Sequence, residues 1–138
     1  MATILVVEDN QTSRKLATML LRRAGHEVLQ AEEGAEAIRV AGDSMPDLIL
    51  MDVQMAGMDG LTATAILKRN RVTSAIPIIA LTAFAMRGDE EKIRAAGCDD
   101  YIAKPFHYPD FLSRVENALA GRSKRHAGSD VRISPAAE

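Results

Sequence analysis

Asp47-Leu-Ile-Leu-Met-Asp52 is an apolar run that closes on a carboxylate. Leu48 to Met51 and the flanking Val53 have the character of core residues. An ionised carboxylate buried without a partner is costly, so Asp52 belongs where the run leaves the core. Three further runs have the same form. Thr3-Ile-Leu-Val-Val continues into Glu8-Asp9, Ile76-Pro-Ile-Ile-Ala-Leu ends at Thr82, and Asp100-Tyr-Ile-Ala ends at Lys104, which Pro105 follows. Four short runs, each closing on a different polar group, predict parallel strands that deliver those groups to one edge of a sheet.

Between the runs the apolar spacing is helical. Asn10 is a good N-cap type for a helix running to Ala24, with Leu16, Met19 and Leu20 on one face, and Gly25 stops it. His26 to Ala31 reads as a weaker strand, and Glu33 to Gly42 as a second helix carrying Ala37, Ile38 and Ala41 on one side. The two glycines in Gln54 to Gly60 mark a loop before a helix from Leu61 to Arg69. Ala83 to Ala96 is a fourth helix closing at Gly97. Phe111, Leu112, Val115, Ala118 and Leu119 define a fifth, entered through Pro109. Five strands alternating with five helices predict an α/β fold, a doubly wound parallel sheet with helices on both faces. Ligands of such sheets bind outside the carboxyl ends of the strands. Residues 1–121 are expected to form this domain, and residues 122–138, which lack apolar periodicity, a disordered tail.

At 138 residues and 47% hydrophobic content the chain suits one globular domain, and a domain of this size buries roughly 70% of its unfolded surface. A formal net charge of -2 argues against nucleic acid or an anionic membrane as the main partner. The lone Cys98 excludes an internal disulfide framework and offers no metal-ligand spacing. No run approaches the ~18 apolar residues of a membrane span, so a cytoplasmic location is expected.

Glu8, Asp9 and Asp52 would converge at the sheet edge. Two carboxylates ~4 Å apart at an effective dielectric of ~20 repel by roughly 4 kcal/mol, so the cluster calls for a cation or a raised pKa on one member. All-oxygen ligands suit magnesium, and the lack of paired His or Cys argues against zinc. With the metal bound, Asp52 can attack an activated phosphoryl group to form an acyl phosphate, and Lys104 and Thr82 can donate to its oxygens. Taken singly these residues have plainer readings. A strand-terminal Asp52 can be a loop or capping carboxylate, Lys104 a solvated lysine, and Tyr101 a packed strand aromatic. His26, His107 and His126 read as surface histidines, Cys98 as a small packed residue, and Met86 with Ile93 as core packing. It is the ordered set that reverses the odds for Asp52 and Lys104.

That set is similar to the receiver domain of two-component response regulators. The likeness runs through Val6-Val-Glu-Asp-Asn10, Met51-Asp52, Ala80-Leu-Thr-Ala83 and Lys104-Pro105-Phe106, and spans about residues 2 to 120. Met51-Asp-Val-Gln54, Gly57-Met-Asp-Gly60 and Gly88-Asp-Glu-Glu-Lys-Ile93 point more narrowly to single-domain regulators of the DivK type and to receivers of hybrid kinases. The resemblance implies a flavodoxin-like fold with strand order 2-1-3-4-5. It implies phosphorylation of Asp52 by a sensor histidine kinase or histidine phosphotransfer protein. Magnesium would be held by Glu8, Asp9, Asp52 and the backbone carbonyl of Gln54. Thr82 and Tyr101 would form a switch pair, Lys104 would neutralise the phosphoryl charge, and the bond from Lys104 to Pro105 is often cis in the family.

The same resemblance implies a downstream protein target read by the fourth helix, fifth strand and fifth helix, around Ala83 to Arg94 and Tyr101 to Phe111. It leaves open a monomer or a phosphorylation-dependent dimer. The chain departs from the pattern at Ala56, where relatives usually carry proline, which leaves the loop backbone freer. Gln54 and Phe84 would flank the path of attacking water, and Phe84 cannot orient a water, so slow-to-moderate self-dephosphorylation is expected. A magnesium-dependent phosphohydrolase using Asp52 is the enzyme alternative, weakened by an amide at Gln54 where such enzymes usually carry a second acid. A pseudo-receiver that only docks is the other alternative, and a docking piece has no need of mutually repelling carboxylates.

Overall fold

The computed structural model describes residues 2–83 and 87–131, the side chains of 87–89 and 122–131 excepted. Its elements are β1 (Thr3–Val7), α1 (Gln11–Arg23), β2 (Glu27–Ala31), α2 (Gly34–Ser44), β3 (Leu48–Asp52), α3 (Gly60–Arg69), β4 (Ile78–Thr82), α4 (Arg87–Ala96), β5 (Asp100–Ala103) and α5 (Tyr108–Val131). The five strands form one sheet in the order β2-β1-β3-β4-β5, and all neighbours are parallel. Fold class and strand order are those expected.

Every residue of β3 and β4 is buried, as central strands covered on both faces must be. Side chains alternate along each strand and feed two clusters. Leu5, Val7, Ile49, Met51, Ile78 and Ala80 pack with residues of α2, α3 and α4, including Ala37, Ala41, Leu67 and Ile93. Ile4, Val6, Leu48, Leu50, Ile79 and Leu81 pack with Leu20 and Leu21 of α1 and Phe111 and Val115 of α5. Full burial of a side chain such as Leu21 or Phe111 stabilises by about 1.5–3 kcal/mol. Register sets Val7 beside Met51, Met51 beside Ala80 and Ala80 beside Tyr101, so the polar ends lie at nearly one level.

Several boundaries differ from the sequence reading, each for a local reason. The second helix passes Gly42 and stops at Ser44, where Met45 turns left-handed (φ 46) ahead of Pro46. The fourth strand starts at Ile78 and not at Ile76, because Pro77 has no N–H to donate while its carbonyl accepts from Ile49. The helix expected from Ala83 is described from Arg87, and residues 84–86, with the readings made for Phe84 and Met86, lie outside the described residues. The fifth helix continues through Gly121 to Val131. No proline interrupts the stretch from Arg122 to Val131, and the helix tolerates its two glycines, Gly121 and Gly128, at a cost of about 1 kcal/mol each. Of the expected tail, residues 132–138 lie outside the described residues.

His26 is the other departure. It is buried and not on the surface: its Nδ1 accepts from the Ala2 amide (3.2 Å), and its Nε2 lies 2.8 Å from Glu116 Oε2. The contact ties the start of the sheet to α5. Among the described residues no helix is long and apolar enough to cross a membrane.

Candidate functional site

Glu8 directly follows β1 and Asp52 ends β3, and both are buried, at 1% and 3% exposure. Asp9 is exposed beside them, and one carboxylate oxygen of each of the three acids lies within 4.8 Å of the others. Each acid is held. The Glu8 amide donates to Ala31 O (3.0 Å), its Oε2 accepts from the Asn10 amide (3.2 Å), and its Oε1 accepts from Lys104 Nζ (2.6 Å). Lys104 Nζ also stands 3.4 Å from Asp52 Oδ1, which accepts from the Gln54 amide at 3.1 Å. The Lys104–Pro105 bond is cis.

Burial pushes the Asp52 carboxyl up to about 7, and the hydrogen bond and negative charge of Glu8 push the same way. The Gln54 amide and the Lys104 ammonium pull it back only in part. Without a further cation the cluster relieves its repulsion by keeping a proton near neutral pH. Three acids with all-oxygen donors, two of them buried, fit a hard divalent cation such as magnesium.

Thr82 ends β4 and is buried, one strand across from Asp52. Tyr101 is not brought to the acids. Its hydroxyl donates to Glu90 Oε1 on α4 (3.3 Å), and Arg114 of α5 stacks over its ring at 6.0 Å. Arg114 is tied to Asp100 at 2.8 Å and to Asp110 at 3.3 Å, so the ring sits within a charged network joining α4, β5 and α5.

The loop after Asp52 holds two features that the sequence reading left unassigned. The Ala56 amide donates to Asp9 Oδ2 (3.2 Å), a bond that a proline at this position could not supply. Gly60, buried at the first residue of α3, lies so close beneath β3 that a Cβ would fall 2.0 Å from Asp52 O and 2.8 Å from Asp52 C. Asp59 caps the helix above it, accepting from the Thr62 amide at 2.8 Å. A third unassigned residue, Arg14 of α1, donates through a guanidinium nitrogen to Glu8 O at 2.9 Å.

Comparison with known proteins agrees with this geometry. The family model for the response regulator receiver domain matches residues 4–116. The polar-differentiation response regulator DivK of Brucella ovis is 43% identical over 117 residues, covering 85% of this chain and 95% of that relative. Among solved structures, the receiver domain of sensor histidine kinase PA1611 from Pseudomonas aeruginosa, with a magnesium ion coordinated in its active-site cleft, superposes with a TM-score of 0.81 at 35% identity. It covers 86% of this chain and 98% of that one. Chemotaxis protein CheY4 of Vibrio cholerae gives 0.82 at 28% identity over the same shares. The chain belongs to the response regulator receiver domain family, the phosphorylation-switched modules of two-component signalling.

Proposed function

We propose that Asp52 is the phosphoacceptor of this receiver and that residues 1–121 act as the switching unit. A carboxylate oxygen of Asp52 attacks the phosphorus of a phosphohistidine on a sensor histidine kinase or histidine phosphotransfer protein. The P–N bond breaks, its electron pair leaves with the imidazole, and an acyl phosphate remains on Asp52. The observation that carries this reading is a buried Asp52 flanked at hydrogen-bonding distance by one ammonium, that of Lys104, and beside a second buried acid. Lys104 would offset phosphoryl charge, and the Thr82 hydroxyl would donate to a phosphoryl oxygen. Glu8, Asp9, Asp52 and the Gln54 carbonyl would hold magnesium, which neutralises charge at the transferring group. The magnesium in the cleft of the PA1611 receiver supports that assignment.

Thr82 and Tyr101 would act as the switch pair, with the Glu90–Tyr101–Arg114 network on the α4-β5-α5 face as the surface whose partner changes. The partner would be a protein, met in the cytoplasm, with no nucleic acid or membrane required. The phosphorylated chain would act as a monomer or pair through the same face. Moving such an equilibrium from 1:99 to 99:1 takes about 5.5 kcal/mol, a demand that one dianion with several charged contacts can meet.

The test is intact-protein mass spectrometry after incubation with acetyl phosphate or phosphoramidate. The expected result is one added phosphoryl group in the presence of magnesium and none in chelator. No gain with magnesium present would move the assignment to a docking pseudo-receiver. Once made, the acyl phosphate is expected to persist for minutes or longer in magnesium, since neither Gln54 nor Phe84 supplies a base for attacking water. A decay half-life of seconds would contradict this.

A further inference from the structure

We infer that Arg14 is a positioning residue for the metal-holding acids, acting through the backbone of the Glu8–Asp9 loop. Its guanidinium reaches back from the first turn of α1 to donate to Glu8 O at 2.9 Å, and its other terminal nitrogen lies 3.9 Å from Glu32 Oε2. The side chain is largely covered, at 13% exposure, whereas Glu32 is open to solvent at 70%. The carbonyl of Glu8 belongs to the peptide that links two of the three acids. Its orientation therefore decides how the Glu8 and Asp9 side chains leave the chain.

The amide of Glu8 is fixed to Ala31 O and its carboxylate to Asn10 and Lys104, but among the described residues Arg14 is the side chain that donates to its carbonyl. Arginine suits this work because its fork can serve the carbonyl with one nitrogen and face Glu32 with another. A lysine ammonium is a point charge that cannot span both.

The sign of the effect separates positioning from simple charge. A cation beside the acids repels a divalent ion, so if Arg14 acted only through its charge, removing it would tighten magnesium binding. If it fixes the Glu8–Asp9 peptide, removing it loosens the ligands and weakens binding. Groups that orient metal ligands without touching the metal typically matter by about 10–100-fold in affinity.

Arg14 also lines a groove of about 680 Å³ along α1 with Lys15, Met19 and Arg22, which offers a rival role in docking a partner protein. Experiments without a partner separate the two. The inference rests on the magnesium reading of the site.

The experiment is isothermal titration of the full chain with magnesium chloride, wild type against Arg14→Met, together with phosphoramidate-driven phosphorylation at limiting and saturating magnesium. The expected result for Arg14→Met is a magnesium Kd raised about tenfold. Phosphorylation should slow at limiting metal and recover at saturating metal, with the metal-free unfolding midpoint little changed. A Kd equal to or below that of wild type would overturn the inference and leave Arg14 as a charge or a docking residue. If wild type itself takes up no magnesium, the metal reading falls and the inference with it. If wild type binds and Arg14→Met binds at least as tightly, the inference alone falls. Should Arg14→Met not fold, Arg14→Gln, whose shorter uncharged side chain does not reach Glu8 O, carries the same test: a raised Kd supports the positioning role and an unchanged or lowered one overturns it.

Discussion

Asp52→Asn is expected to abolish phosphorylation by small donors outright while making the metal-free protein more stable at neutral and higher pH. The first half follows from chemistry: an amide is no nucleophile toward phosphorus, and Glu8, with its carboxylate engaged by Lys104 and Asn10, offers no replacement. The second half follows from linkage. The Asp52 carboxyl is raised from 3.8 to about 7 in the folded protein, by burial first and by Glu8 second. Between those values the folded state keeps a proton that the unfolded chain has released. Stability therefore falls as pH rises from about 4 to about 7, and the full penalty remains above that.

Asparagine fills the same space without the charge, so its advantage should be near zero at about pH 4 and reach about 4 kcal/mol by pH 8. Urea unfolding of both proteins across that range, in chelator, measures it. Saturating magnesium should then narrow the gap by stabilising the wild type, since a ligand that binds only the folded state adds to its stability. A gap independent of pH would show that the folded protein does not hold the Asp52 proton in this window.

Gly60→Ala is expected to destabilise by more than about 3 kcal/mol and to cost phosphorylation as well. The clash is with backbone and not with the end of a flexible side chain. A methyl group would lie 2.0 Å from Asp52 O, and Met51 Cγ at 3.0 Å closes the space on another side. Relief would require shifting either the end of β3, which is paired on both sides, or the first turn of α3. Either shift moves Asp52. Gly42→Ala is the matched control: nothing lies within 4 Å of the added carbon, and the change removes a glycine from a helix, so a gain of roughly 0.5–1 kcal/mol is expected. Chemical unfolding of the two variants, side by side, reads the difference. Equal stabilities would mean that β3 and α3 separate more easily than their packing suggests.

The pattern of what the sequence disclosed has a physical basis. Strands buried on both faces must be continuously apolar, so the residue that ends each run is conspicuous, and Glu8, Asp9, Asp52, Thr82 and Lys104 could be named as candidates, and their place at the strand ends anticipated, without coordinates. Interactions made through backbone atoms or across long sequence distances leave no such mark. Gly60 looks like any loop glycine until the nearness of Asp52 O is seen. Arg14 looks like one more charge on a helix surface, and His26 like an exposed imidazole, because its partner Glu116 lies 90 residues away. Ala56 could be recognised as unusual, but only its bond to Asp9 shows what an N–H at that place adds.

The alternation that sends Leu48 and Leu50 to one face and Ile49 and Met51 to the other also fixes the phase of the acids. Asp52 continues the parity of Leu50, as Glu8 continues that of Val6. Exchanges among valine, isoleucine and leucine within β1 or β3 preserve this phase. Inserting or deleting one residue inverts it, carrying every core side chain and the terminal acid to the opposite face. Such a chain can drift widely by substitution along its strands, yet it can change length only in its connections and toward its ends.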